Sequence, residues 1–357
     1  MTRLVKHFDL HQVLGTELRV VSDVEDGVLD VIQAEDAVVR GYMALGLWRH
    51  TWVDLFVLQD LQSLAGQLGE AGGLPPGGSQ ALDMRPVVNA YDLADLSACH
   101  VFVNQKVMLR EGYWGDAAAT RALLAHEHSH PLSENETTRA SRALRLKMTR
   151  LETSALASAT SASGERQSVI ESRLGALVAV LAEKLCCYAP REIFANDLTI
   201  VSGFADDLHY LDRNVMATAA KGVLARVDLV KHLQGEVDQG RLPADEGARL
   251  LLVGDLKGYV DLALETAPFY RMGRPDEARQ LETVLFENIF PRLDPQIEEV
   301  YRELRSLYVE LTPDLSVAAL ASWGERVLEL LAGALREQGM EPGFSLDYSD
   351  EGEDKHA

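Results

Sequence analysis

The sequence predicts an α+β protein, mostly helical, with one small β-sheet and a helical C-terminal region. Three observations carry this. Apolar residues recur at helical spacing through most of the chain, among them Val28, Val31, Ile32, Val38, Val39, Tyr42 and Met43. Two short runs of β-formers, at Val87 and Val88 and at Val101, Phe102 and Val103, interrupt that pattern. A Gly/Pro-rich stretch, GEAGGLPPGGS, precedes those runs and reads as a loop.

Taken in order, residues 24 to 70 read as helix, with a second apolar repeat from Leu55 to Leu68. This makes 1–71 an N-terminal helical region. The two strands follow, and Gly112 and Gly115 close a turn. Asp116 is placed to cap a helix that starts at Ala117 and runs into the histidine-rich stretch LLAHEHSHPL. Pro131 ends that helix there or soon after, because its ring disfavours helix at the residue before it. Residues 133–189 read as two long helices broken near SATSASGE. The first carries a basic face of Arg139, Arg142, Arg145, Lys147 and Arg150, of the kind that is ordinarily solvated. Pro190 suits the first turn of a helix through REIFANDLTIVSGF, which Gly203 ends. The pattern from 213 to about 339 is helical, giving a C-terminal helical region over 213–340. The segment YRMGRPDEARQLETVL has a tetratricopeptide-like spacing but no second copy. The acidic tail 341–357 lacks a core pattern and reads as disordered.

Length and charge narrow the function. At 357 residues the chain has room for two structural units, and its 47% hydrophobic content supports a sizeable core. A net charge of -21 repels phosphate backbones and anionic lipid, which argues against direct nucleic-acid or membrane binding. The longest apolar run, LGALVAVLAEKLCCYA, is broken by Glu183 and Lys184 and is no membrane span. The N-terminus has no secretory pattern, and three cysteines, Cys99, Cys186 and Cys187, suit a reducing compartment. The expectation is a cytoplasmic protein, with the vicinal pair as apolar helix filler.

His126, Glu127 and His130 spell H-E-x-x-H. On a helix, positions i and i+4 lie about 40° apart and one turn up, so His126 and His130 can offer two imidazoles to one ion. Glu127 is about 100° round. From there it can reach a water at the metal without being a ligand, which is the metalloprotease arrangement. His128 is about 200° away and is not expected to bind that ion. It packs behind the site or faces solvent. Zinc needs a third protein ligand. Glu192 is preferred to Glu134 and Glu136, which lie just past the proline. Glu192 and Asn196 stand one helical turn apart, so Asn196, or Asp197 in its place, could fix a ligand imidazole through its outer nitrogen. His209 and Tyr210 on the following segment are the candidates for an oxyanion donor, with ordinary packed or surface roles as the plain alternative. A strand edge near Val101, Phe102 and Val103 could take up an extended peptide.

H-E-x-x-H followed by a helix reading E-x-x-A-N, here Glu192 to Asn196, resembles the pattern of the gluzincin metallopeptidases. Over residues 85 to 205 the strand-turn-helix lead-in and EIFAN look most like the small gluzincins of the ImmA/IrrE type. The resemblance implies a zincin-like core within 72–212, with 133–189 as a helical insertion. It implies zinc on His126, His130 and Glu192, and Glu127 as the general base. The activity expected is hydrolysis of a peptide or protein substrate. The alternatives are a zinc hydrolase acting on a small molecule, or a helical interaction protein with a structural or degenerate metal site. In the last case a protein partner would dock on the helical regions.

Overall fold

Among the described residues five strands form the main sheet. They are β1 (His7–Val13), β2 (Thr16–Ser22), β3 (Trp52–Leu58), β4 (Val87–Tyr91) and β5 (Ala98–Asn104). The inner strands β2 and β3 alternate buried with half-buried side chains. The order is β1-β2-β3-β5-β4, with β2, β3 and β5 parallel and the two outer strands antiparallel to their neighbours. Leu18, Val20, Val53, Leu55, Val57, Val101 and Val103 point to one face and are buried. Against them pack α1 (Val28–Ala44), through Val28, Val31, Val38 and Tyr42, and α3 (Ala117–Leu132), through Ala119, Ala122, Leu124 and Ala125. Small alanines on α3 let its backbone approach the sheet closely. The short helix α2 (Gln105–Glu111) leads from β5 through the Gly112 and Gly115 turn to α3. Gly27 caps the start of α1 at φ 85, a left-handed conformation that disfavours a side chain.

The structure is a computed structural model that describes residues 7–61, 84–153 and 164–348. The chain divides into two compact units. The first, Met1–Ser133 with Ala195–Leu211, holds the sheet, α1, α2 and α3. The second, Glu134–Phe194 with Asp212–Ala357, is mainly helical. It contains α4 (Glu136–Ala143), α5 (Gly164–Glu183), α8 (Ala244–Asp255), α9 (Ala263–Arg271), α10 (Pro275–Val284), α11 (Pro295–Val309) and α12 (Val317–Glu337). Two helices, α6 (Ala189–Thr199) and α7 (Ala205–Asp238), run from one unit into the other. A kink at Gly203, φ 92, separates them, where the sequence placed a helix end. A two-stranded sheet of β6 (Arg145–Thr153) and β7 (Met340–Asp347) completes the second unit.

The overall class is therefore α+β with a small mixed sheet and a helical C-terminal region, as the sequence indicates. Three segments differ from expectation. The N-terminal region is not all helix: β1, β2 and β3 are strands. In β3 the alternation Val53, Leu55, Val57 wins over the helical repeat expected from Leu55 onward. Positions 62–83, with the rest of that repeat and the Gly/Pro loop, lie outside the described residues. Residues 145–153 are strand, not part of a long helix, because β7 pairs with them along their length. Residues 341–347, expected to be disordered, are that partner, while 349–357 lie outside the described residues. The basic residues are thus split between α4 and β6. Arg142 pairs with Glu134, and Lys147 with Asp347 at 2.8 Å. No helix among the described residues is long and apolar enough to cross a membrane.

Candidate metal centre

Asp116 starts the helix that carries the motif. Its Oδ1 accepts from the N–H groups of Ala118 and Ala119, each at 3.0 Å, which satisfies two of the donors a helix start leaves open. Ten residues further on, α3 brings His126, Glu127 and His130 together. One ligand atom from each lies within 4.8 Å of the others. The imidazoles of His126 and His130 meet edge to face, with centroids 4.7 Å apart and planes at 82°. Both rings are half-buried, whereas Glu127 is 9% exposed.

Two members of the cluster, His126 and Glu127, are held from outside the motif. Asn196 Oδ1 on α6 lies 2.7 Å from His126 Nδ1. An amide oxygen only accepts, so Nδ1 carries the proton and Nε2 keeps its lone pair for a metal. Glu127 is held by the outer strand β4. The Asn89 N–H donates to Glu127 Oε2 at 3.3 Å, and Asn89 Nδ2 donates to the Glu127 carbonyl at 3.3 Å. The second bond answers a deficit built into the helix. The Glu127 carbonyl would ordinarily accept from the N–H of residue 131, and Pro131 has none. Helix α3 nonetheless continues through Leu132, one residue beyond the proline.

Ser129, inside the motif, ties three helices together. Its Oγ lies 2.6 Å from Tyr42 Oη and 2.8 Å from Thr199 Oγ1. Tyr42 also donates to the Ala125 carbonyl at 2.9 Å. Burial pushes the Tyr42 phenol up to about 12, partly offset by hydrogen bonds with Ser129, Thr199 and Ser202, so it remains a neutral donor. Asn196 and Thr199 are three residues apart on α6 and face α3 together, which sets the height of the amide at His126.

Asn196 meets His126. Asp197 is buried beside it in sequence. Glu192 is in the first turn of α6, one turn before Asn196, and its charge is among those that raise the Lys184 ammonium against the effect of burial. Arg142 is the cation on Glu134. Tyr210 is not at the cluster. Its hydroxyl donates to Asp116 Oδ2 at 2.6 Å, at the start of α3. Ten residues of helix, about 15 Å at 1.5 Å per residue, separate that point from His126. His209 is the half-buried neighbour of Tyr210 on α7. The strand at Val101, Phe102 and Val103 is also not an edge: β5 lies between β3 and β4, and the outer strand is β4.

His128 faces away from the cluster and is fully buried, with Nε2 2.8 Å from Glu35 Oε1 on α1. Sequence reading missed Asn89, whose only signal was Pro131 four residues after Glu127. It also missed Glu35 and Tyr42, which carried none.

Two imidazoles, one with its outer nitrogen fixed by an amide, and a neighbouring carboxylate are a nitrogen–oxygen donor set that suits zinc. Compared with family models, curated proteins and solved structures, the chain matches none.

Proposed function

We propose that the chain is a zinc-dependent metallopeptidase with a gluzincin-like, zincin-type core. The observation that carries this reading is the contact of Asn196 with His126 Nδ1, because it joins the H-E-x-x-H helix to the E-x-x-A-N helix through one ligand ring. His126 and His130 hold the metal through a ring nitrogen each. Glu192 is the third ligand, on the ground of the resemblance and its place one turn before Asn196 on the same helix. The chemistry that zinc supplies when bound is Lewis-acid polarisation of a carbonyl and acidification of water.

Glu127 is the general base. It takes a proton from the attacking water and returns it to the leaving amine. Asn89 keeps its carboxylate turned to the outer strand, and β4 has one side unpaired within the described sheet. An extended substrate can add to that side, main chain to main chain, which would lay a peptide bond beside Glu127.

The test is Glu127→Gln. It should keep its zinc and its fold, since Gln retains the shape, and lose peptide hydrolysis by about 10²- to 10⁴-fold. Hydrolysis near the wild-type rate with metal bound would remove Glu127 from the role and the peptidase reading with it.

A further inference from the structure

The opposite face of the same helix carries a second group of metal-binding atoms. His50, Cys99 and His128 each offer one atom within 4.8 Å of the others, and all three are buried, at 2%, 0% and 0% exposure. They come from three places in the first unit: the turn before β3, strand β5 and helix α3.

The hydrogen bonds around them leave lone pairs rather than protons in the middle. His50 Nδ1 lies 2.6 Å from the Leu96 carbonyl, which can only accept, so its proton is there and Nε2 is bare. His128 Nε2 faces Glu35 Oε1 at 2.8 Å, so in the neutral ring the proton is on Nε2 and Nδ1 is bare. His50 Nε2 and His128 Nδ1 are both buried without a hydrogen-bond partner. Two orphaned ring nitrogens this close are costly in a core. Trp48 lies across both rings, at 4.8 Å from His50 and 5.0 Å from His128, and closes the space.

We propose that His50 Nε2, His128 Nδ1 and Cys99 Sγ form a second, buried site for a borderline-soft transition-metal ion, zinc or copper. Glu35 orients His128 from behind, as carboxylates do for ligand histidines. Two imidazoles and one thiolate suit either ion. Ligand atoms on one such ion stand up to about 4.4 Å apart, the sum of two bond lengths, so little movement closes the site. Charge balances as well: a divalent ion is neutralised by the Cys99 thiolate and the Glu35 carboxylate. Binding forms the metal–sulfur bond and breaks the Cys99 S–H bond, releasing one proton to solvent. The ion sits on the sheet side of α3 and is structural, because every ligand is closed off from water. The whole chain then carries two ions rather than one.

Cobalt distinguishes the two sites, because only the buried one contains sulfur. In full-length protein carrying Cys186→Ala and Cys187→Ala, Cys99 is the only thiol. Titration with Co²⁺ should then give a thiolate-to-cobalt charge-transfer band that saturates near one equivalent. The band should survive His126→Ala, which disables the other site, and vanish in Cys99→Ser and in His50→Gln. Metal analysis of the chain purified without added metal should show zinc or copper that Cys99→Ser loses and His126→Ala keeps. If the serine variant fails to fold, the band in the parent chain and its loss in His50→Gln decide the matter. A folded chain that gives no band, or a band unchanged in a folded Cys99→Ser chain, overturns the site. None of these readouts depends on hydrolysis, so the peptidase reading can fail while this one stands.

Discussion

Asn196 and Asn89 hold His126 and Glu127, the first two residues of the H-E-x-x-H motif, and each can be removed without touching the motif. Replacing Asn196 with Ala takes away the acceptor that keeps His126 Nδ1 protonated. Zinc affinity should fall by about 10- to 100-fold, as read by competition with a chelator, with the circular dichroism unchanged. Asn89 acts through the backbone as well as the carboxylate. Without its amide, the buried Glu127 carbonyl has neither Asn89 nor an N–H from residue 131, a loss of about 1–3 kcal/mol. Asn89→Ala should therefore destabilise by that order in urea. The effect should shrink when Pro131→Ala is added, because an alanine at that position restores the helical N–H donor. A double-mutant cycle that comes out additive would show that the two residues do not share this carbonyl.

At the scale of elements, helix α1 matters because it carries Glu35 and Tyr42 to α3 from a start that permits little variation. Gly27 is in the left-handed region, and a Cβ there would lie 2.8 Å from the Trp114 ring. Gly27→Ala should cost about 1–3 kcal/mol by backbone strain and contact, seen as a lower urea midpoint with an unchanged slope. Elements also mark how far local pattern reaches. The capped start of α3, its proline-limited end and the strands at Val87 and Val101 rest on signals within a few residues, and these were legible. Strand β6 was not. Its partner β7 lies nearly two hundred residues away, and the pairing of Arg145 with Asp347 through Thr153 with Met340 is what makes it a strand. Strand β3 was misread for a different reason. Its apolar residues satisfy a helical spacing nearly as well as an alternation, and burial between β2 and β5 chooses the latter.

For the molecule as a whole, stability should depend on pH through a buried acid, Asp212, beside the half-buried Glu265 in the second unit. Burial, and then the neighbouring charge and hydrogen bond of Glu265, hold the Asp212 carboxyl well above the usual carboxylate range. In the unfolded chain Asp212 ionises near its ordinary value of about 3.9. Above that pH the folded protein binds the extra proton, so this group's contribution is fully present in acid and is lost as pH rises through the folded value. Denaturant melts at pH 5 and pH 8 should show the wild type losing stability across this interval. Asp212→Asn, neutral throughout, should flatten that slope and be the more stable protein at pH 8. A slope unchanged in the variant would place the ionisation elsewhere.

The sequence by itself determined the spacing of the site and the class of fold. H-E-x-x-H on a capped helix puts two imidazoles on one face at any position in any protein, since helix geometry needs no partner. The same is true of Glu192 and Asn196, one turn apart. Only the tertiary structure decided what surrounds them: that Asn196 rather than Asp197 meets His126, that Asn89 fills the gap left by Pro131, and that His128 turns inward to Glu35, His50 and Cys99. It also carried Tyr210 to the far end of the helix. Those outcomes depend on contacts between residues tens of positions apart, and such contacts are set by which faces the sheet and helices bury together rather than by any local pattern.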